Sequence, residues 1–171
     1  MEPTGGDGGT AVARRGTGPL ARLMREGGLY CVFQPLADLR EGQVYAHEAL
    51  IRGPQNTPLH TPDKLLELAR HEGILQDFEL LCVYTAMEQW GRHDAPGRLF
   101  VNISADALVH GVLLIGATAL GDTVRSLGLS ARMLVLEITE HERVTDMPQL
   151  RQAIKAMHAC GARSALDDFG D

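Results

Sequence analysis

An α/β fold, with parallel strands flanked by helices, is what three features of the 171-residue chain predict. From Arg98 onward, apolar runs of strand length alternate with stretches of helical periodicity. The loops between them are short and marked by glycines such as Gly128 and Gly161. Glu48, Asn102, Glu137 and the pair Asp167-Asp168 fall at or near the C-terminal ends of four successive predicted strands. Ligands of α/β folds, and above all of barrels of parallel strands, bind at that end.

Met1 to Gly18 is rich in Gly and Thr without apolar periodicity, which predicts a disordered Gly-rich tail or linker. The loose dinucleotide fingerprint Gly16-Thr-Gly18-Pro-Leu-Ala21 follows no strand and holds Pro19, so it is read as accidental. Pro19 instead opens a short helix through Glu26, with Leu20, Leu23 and Met24 on one side. After the break at Gly27-Gly28, Leu29–Leu36 and Val44–Arg52 read as two strands of a hairpin turned at Glu41-Gly42. Pro54 to Pro62 is a loop. Thr61 and Pro62 are the expected cap and first residue of a helix that Gly73 ends. A second helix covers about Ile74 to Trp90, with Leu75, Phe78, Leu81, Cys82 and Thr85 at helical spacing.

The alternation then runs as a strand over Arg98–Ser104 and one or more helices from Ala105 to Leu127. A very apolar strand over Arg132–Thr139 follows, then a helix over Pro148–Ala159 and a last strand over Ser164–Asp168. No internal repeat of solenoid period is present.

Composition excludes several classes of function. Hydrophobic residues make up 44% of the chain, enough for one domain with a real core. With a net charge of −6 and no basic cluster beyond Arg14-Arg15, polymeric nucleic acid is not expected as a partner. A small anion held by metal ions and one or two arginines is compatible with that charge. Cys31, Cys82 and Cys160 form no CxxC pair, so neither a zinc site nor a disulfide framework is expected. Each reads as a small apolar side chain in a reducing cytoplasm. The longest apolar run, Val112 to Leu120, is interrupted by Gly116 and Thr118 and is too short for a membrane segment. No signal layout stands at the N-terminus, and the expected location is cytoplasmic.

Ala46-His47-Glu48-Ala49-Leu50-Ile51-Arg52-Gly53 is the stretch around which a site would be organised. Strand alternation puts Glu48, Leu50 and Arg52 on one face: an acid, an apolar residue and a guanidinium. Alone, the octapeptide also reads as a solvated strand end with two scattered charges. The later acids favour the functional reading. Glu137 stands within Val135-Leu136-Glu137-Ile138, where an unpaired buried carboxylate would cost several kcal/mol, roughly, and a divalent cation would offset it. Glu48, Asn102, Glu137, Asp167 and Asp168 make a hard-oxygen donor set, suited to Mg²⁺ or Mn²⁺ rather than zinc or copper. Two such ions, bridged through the adjacent aspartates, can generate a hydroxide and stabilise in-line displacement at phosphorus.

His47 beside Glu48 is not half of an HExxH motif, because position 51 is Ile. It faces away from Glu48 and is expected to pack against a helix. The other histidines fall in loops or on helices and are given no catalytic role. Ser104 has no base and orienting acid beside it in the sequence, so a serine triad is unsupported.

Gln34-Pro35 after a strand, Glu48-Ala49-Leu50 with Arg52, Val101-Asn102-Ile103-Ser104, Leu136-Glu137-Ile138-Thr139-Glu140 and Asp167-Asp168-Phe169-Gly170 occur in that order. Together they resemble the EAL domain, the bacterial cyclic di-GMP phosphodiesterase family, from about Leu20 to the last residue. The resemblance implies a TIM-like (β/α) barrel whose first strand is antiparallel to the rest, here with about five of eight strands. It implies that Glu48, Asn102, Glu137 and Asp167 hold one metal and that Asp167 with Asp168 holds the other. Catalysis would then rest on Glu48, Asp167 and Asp168. It further implies that Gln34, Leu50 and Arg52 contact cyclic di-GMP and that Glu140 steadies the loop after Asp168. Intact members hydrolyse one phosphodiester of cyclic di-GMP to give linear pGpG.

An eight-stranded barrel takes roughly 250 residues, so residues 19–171 are expected to be the N-terminal portion of such a domain, ending just after Asp167-Asp168-Phe169-Gly170. The family's later lysine, a further acidic ligand and a late glutamine have no counterparts; Lys64 and Lys155 both fall on predicted helices. Five strands alone would expose a sheet edge and an apolar interior, which a second copy or a partner protein would cover. Three functions are open on this reading. The first is a metal-dependent cyclic di-GMP phosphodiesterase, with little or no turnover expected from these residues alone. The second is an inactive cyclic di-GMP-binding or protein-interaction module. The third, an unrelated metal-dependent barrel enzyme such as an aldolase or lyase, is disfavoured by the order of the five motifs.

Overall fold

The computed structural model describes residues 16–93, 97–139 and 146–167, apart from the side chains of Ala117 and Asp167. Helix α1 (Pro19–Glu26) leads into strands β1 (Tyr30–Asp38) and β2 (Gln43–Arg52). Helices α2 (Pro62–His71) and α3 (Leu75–Gly91) follow, then β3 (Arg98–Ser104), α4 (Ala105–Ile115), α5 (Ala117–Ser126), β4 (Leu134–Thr139), α6 (Met147–Ala159) and β5 (Arg163–Asp167). The five strands form one sheet in sequence order. β1 is antiparallel to β2, and β2, β3, β4 and β5 are parallel. The α/β class and the antiparallel first strand agree with the expectation from sequence.

β1 runs through Pro35 to Asp38, further than its apolar pattern indicates. Proline is tolerated there because β1 lies at the edge of the described sheet, where half of the backbone donors have no strand to meet. One of those donors is satisfied from outside the sheet: Cys31 N–H donates to Gln89 Oε1 of α3 at 2.9 Å. The stretch from Ala105 to Leu127 is two helices. They divide at Gly116, whose φ of +79° suits glycine and interrupts the helical hydrogen bonds. β4 is preceded by a 3₁₀ turn over Ala131–Met133. Thr61 precedes α2 as expected, but its side chain makes no capping bond.

Alternation along β3 and β4 sends Leu99, Val101, Ile103, Leu134, Leu136 and Ile138 to the face that the helices cover. There they meet Val83, Met87 and Trp90 of α3, Leu108 of α4, Val124 of α5 and Met157 of α6. A second cluster joins Leu20 of α1, Leu65 of α2 and Phe78 of α3. α3 is buried on more than one side because it stands between the two clusters. Each such side chain contributes about 1.5–3 kcal/mol by leaving water. The opposite face of the sheet carries Glu48 of β2, Asn102 of β3 and Glu137 of β4, with the apolar Leu50, Phe100 and Val135 on the same face.

Candidate metal and ligand site

On that opposite face, register brings the sequence-predicted residues side by side. Gln34 of β1 pairs with Glu48 of β2, and Val32 pairs with Leu50. Glu48 pairs with Phe100 of β3, and Asn102 stands two positions further along the same face. Asn102 pairs with Glu137 of β4, and Thr139 pairs with Asp167 of β5. Glu48, Asn102 and Glu137 thus share one face of the sheet, in its C-terminal half, and the backbone of Asp167 stands at the next register position of that row.

The best-defined contact is between the first two. Asn102 Nδ2 donates to Glu48 Oε1 at 2.8 Å. A carboxylate only accepts, so this bond assigns the amide: nitrogen toward Glu48, Oδ1 away from it. Asn102 Oδ1 is buried and has no hydrogen-bond partner among the described residues. An orphaned carbonyl oxygen beside carboxylates is an electron-rich position that a hard divalent cation fits. The donors at hand therefore suit a hard divalent cation. Among the described residues, no three His, Cys, Asp or Glu side chains already converge as a metal cluster. The Asp167 side chain lies outside that description, as do Asp168 and Glu140, the residue expected to steady the following loop.

The residues expected to contact a dinucleotide are less alike. Leu50 lines a cleft of about 240 Å³ beside the strand ends, between β2, β3 and the helices α2 and α3. Asn102, Ser104, Leu66, Arg70, Leu75 and Glu79 also line it. Arg52 is partly buried and turned back on its own strand, with Nη1 donating to Ile51 O at 2.8 Å. Gln34 is exposed.

Two contacts around the cleft carry no signal in local sequence. Glu79 accepts from Ser104 N at 3.1 Å and from Ser104 Oγ at 2.6 Å. Ser104 Oγ also accepts from Ala107 N at 3.2 Å, which caps α4. Ser104 is therefore a strand-to-helix joint rather than a nucleophile, and among the described residues no histidine bonds to it. His47 points to the helix side as expected, its ring centroid 4.9 Å from that of Trp90. Lys64 lies on α2 and Lys155 on α6. In the wall of the cleft, burial pushes the Cys31 thiol up to about 12, against a smaller opposing effect of Arg52. Burial also raises Cys82, with Cys31 and Glu79 adding to the effect.

A family model described as the EAL domain matches residues 19–171. A cyclic di-GMP phosphodiesterase of Pseudomonas aeruginosa is 31% identical over 150 residues, covering 85% of this chain and 25% of that protein. An uncharacterized signaling protein of Caulobacter vibrioides is 30% identical over 156 residues, covering 88% of this chain and 19% of that protein. The chain spans a quarter or less of the length of these curated relatives. Among solved structures, a manganese and cyclic di-GMP complex of BlrP1 from Klebsiella pneumoniae superposes with a TM-score of 0.71 at 26% identity, over 84% of this chain and 35% of that one. The FimX EAL domain has the same fold, with a TM-score of 0.71 at 22% identity, over 88% of this chain and 61% of that one. No single helix among the described residues is long and apolar enough to cross a membrane.

Proposed function

The chain belongs to the EAL domain family, and from that premise we propose that residues 19–171 carry the cyclic di-GMP site and most metal ligands of a divalent-metal-dependent phosphodiesterase. The reaction would open one phosphodiester of cyclic di-GMP to give linear pGpG. The observation that carries this reading is the pairing of Asn102 with Glu48, which leaves Asn102 Oδ1 buried and unmatched in the row that continues to Glu137.

The roles follow from the donor set. Glu48, Asn102, Glu137 and Asp167 would hold one Mg²⁺ or Mn²⁺ ion, and Asp167 with Asp168 a second. Bound there, the ions would supply Lewis acidity at the phosphate and lower the pKa of water. The chain's own residues do the rest. Asn102 fixes the Glu48 carboxylate through its amide hydrogen, leaving the second carboxylate oxygen to face the ion. Leu50 offers an apolar wall at the mouth of the cleft to a flat base. Arg52 reaches a phosphate on turning away from Ile51 O, and Gln34 stands in register beside Glu48 to meet the ligand edge.

A second reading, a module that binds cyclic di-GMP without turnover, is favoured by one observation: among the described residues, no three His, Cys, Asp or Glu side chains already converge on one point. Incubation with Mn²⁺ and labelled cyclic di-GMP separates the readings. Linear product supports the enzyme, and its loss in Glu48→Ala supports the metal assignment. Binding without product favours the inert module. Failure to bind would remove both, and turnover surviving in Glu48→Ala would remove the metal assignment.

A further inference from the structure

Asn102 is only as well placed as the strand end that carries it. β3 ends at Ser104, and the chain turns at once into α4. Such a junction leaves backbone donors unmatched, because strand pairing stops before helical bonding begins. Two bonds of Ser104 meet this need within the turn: its hydroxyl oxygen accepts from Ala107 N, and its own N–H goes to Glu79. Glu79 comes from α3, 25 positions earlier, and takes both donors of Ser104 on one carboxylate. The hydroxyl contact, at 2.6 Å, is in the range of charge-assisted O–H···O⁻ bonds, which are about twice as strong as neutral ones.

Ser104 shares the polar face with Asn102, two residues away. It pairs with Thr139, and Thr139 pairs with Asp167. Glu79 thereby grips β3 at the row immediately beyond Asn102. Releasing that grip lets the last residues of β3 fray toward α4. The Asn102 amide would then leave both Glu48 and the position its Oδ1 holds.

We propose that Glu79 is a positioning residue. By clamping Ser104, it sets the end of β3 at which Asn102 presents its carbonyl oxygen to a divalent cation. The inference rests on the metal reading of the face formed by Glu48, Asn102 and Glu137. Groups that orient metal ligands without touching the metal are worth on the order of 10–100-fold in metal affinity. Because Glu79 acts through a strand end rather than through a ligand's own ring or carboxylate, about tenfold is expected.

The test is Mn²⁺ binding by the full chain, measured calorimetrically, with a thermal melt of every variant. Glu79→Gln keeps the size of the side chain but has only one acceptor oxygen for two donors. It should weaken Mn²⁺ about tenfold. Ser104→Ala should do the same, and the double variant should be no weaker than either single one, because both remove one clamp. His110→Ala provides the control. It loosens α3 from α4 by removing the 3.0 Å contact with Asp77, and among the described residues the His110 ring makes no hydrogen bond to β3. It should lower the melting temperature and leave Mn²⁺ affinity unchanged. If Glu79→Gln binds Mn²⁺ as wild type does, or if His110→Ala weakens it equally, Glu79 is a packing residue and the inference is overturned. A wild-type chain that binds no Mn²⁺ overturns the metal reading itself, a different result from the other two.

Discussion

Asn102 Nδ2 lies 2.8 Å from Glu48 Oε1, joining two neighbouring parallel strands by a neutral donor and an acidic acceptor. Asn102→Asp replaces that donor with a second acceptor of like charge. The metal-free variant should lose about 1–3 kcal/mol of stability at neutral pH, since a buried hydrogen bond is replaced by an unmatched pair. A cation between the two carboxylates would relieve this. Mn²⁺ should therefore raise the melting temperature of Asn102→Asp by more than it raises that of wild type. Thermal melts with and without Mn²⁺ check this, and equal increments would place the metal elsewhere.

The fold was legible where side-chain alternation and strand length are local properties. Leu99, Val101 and Ile103 facing opposite to Phe100 and Asn102 identified β3 and both of its faces. The apolar run of β4 made Glu137 conspicuous, and register then placed it beside Asn102. Contacts that join distant segments were not legible. Nothing in the surroundings of Glu79 or Gln89 announces that one will hold Ser104 and the other will meet the free edge at Cys31. Capping was only half readable: Thr61 has the right residue type but makes no bond, whereas Ser104 and Asp146 cap α4 and α6. The break at Gly116 was visible as a glycine, but its positive φ is a property of the folded chain.

Glu72 supplies a cap from outside the helix it serves. Its two carboxylate oxygens accept from Leu20 N at 2.8 Å and Ala21 N at 3.1 Å, at the positive end of α1. A Cβ on Gly18 would fall on that carboxylate, so the glycine is required for the approach. Gly18→Ala and Glu72→Ala should each cost about 1–2 kcal/mol, the range for losing a charged cap. Together they should cost little more than either alone, because each removes the same contact. Urea denaturation of the three variants measures this.

Asp77 is 7% exposed, and its Oδ1 lies 3.0 Å from His110 Nε2 on α4. Its position in the first turn of α3 already favours a negative charge there. Removing the imidazole in His110→Ala should cost about 1–3 kcal/mol, because a buried acceptor loses its partner. Asp77→Asn in the same background should recover part of the loss, since an amide is less costly to bury than a carboxylate. A double variant less stable than His110→Ala, seen in the same denaturation series, would show that Asp77 is held chiefly by the helix end.

Cys31 and Cys82 give the chain a definite response to alkali. An unfolded thiol ionises near about 8.5, whereas burial pushes Cys31 up to about 12 and raises Cys82 as well. For Cys31 the folded chain therefore binds more protons than the unfolded one across that whole window. Stability is unaffected below the unfolded value and falls as pH rises above it, by about 1.4 kcal/mol per pH unit for each thiol, until the folded thiol ionises. Chemical denaturation at several pH values between 7.5 and 10.5 should show this decline, and Cys31→Ala should make it shallower by one thiol's share. Other groups titrate in the same range, but their contribution cancels in the difference between the two proteins. At pH 7.5 both thiols stay protonated, so iodoacetamide should label Cys160, which is less buried, before either of them. If Cys31→Ala declines as steeply as wild type, the thiol is not held protonated in the folded chain. Cys31 would then have to be far more open to water than its place between β1 and α3 indicates.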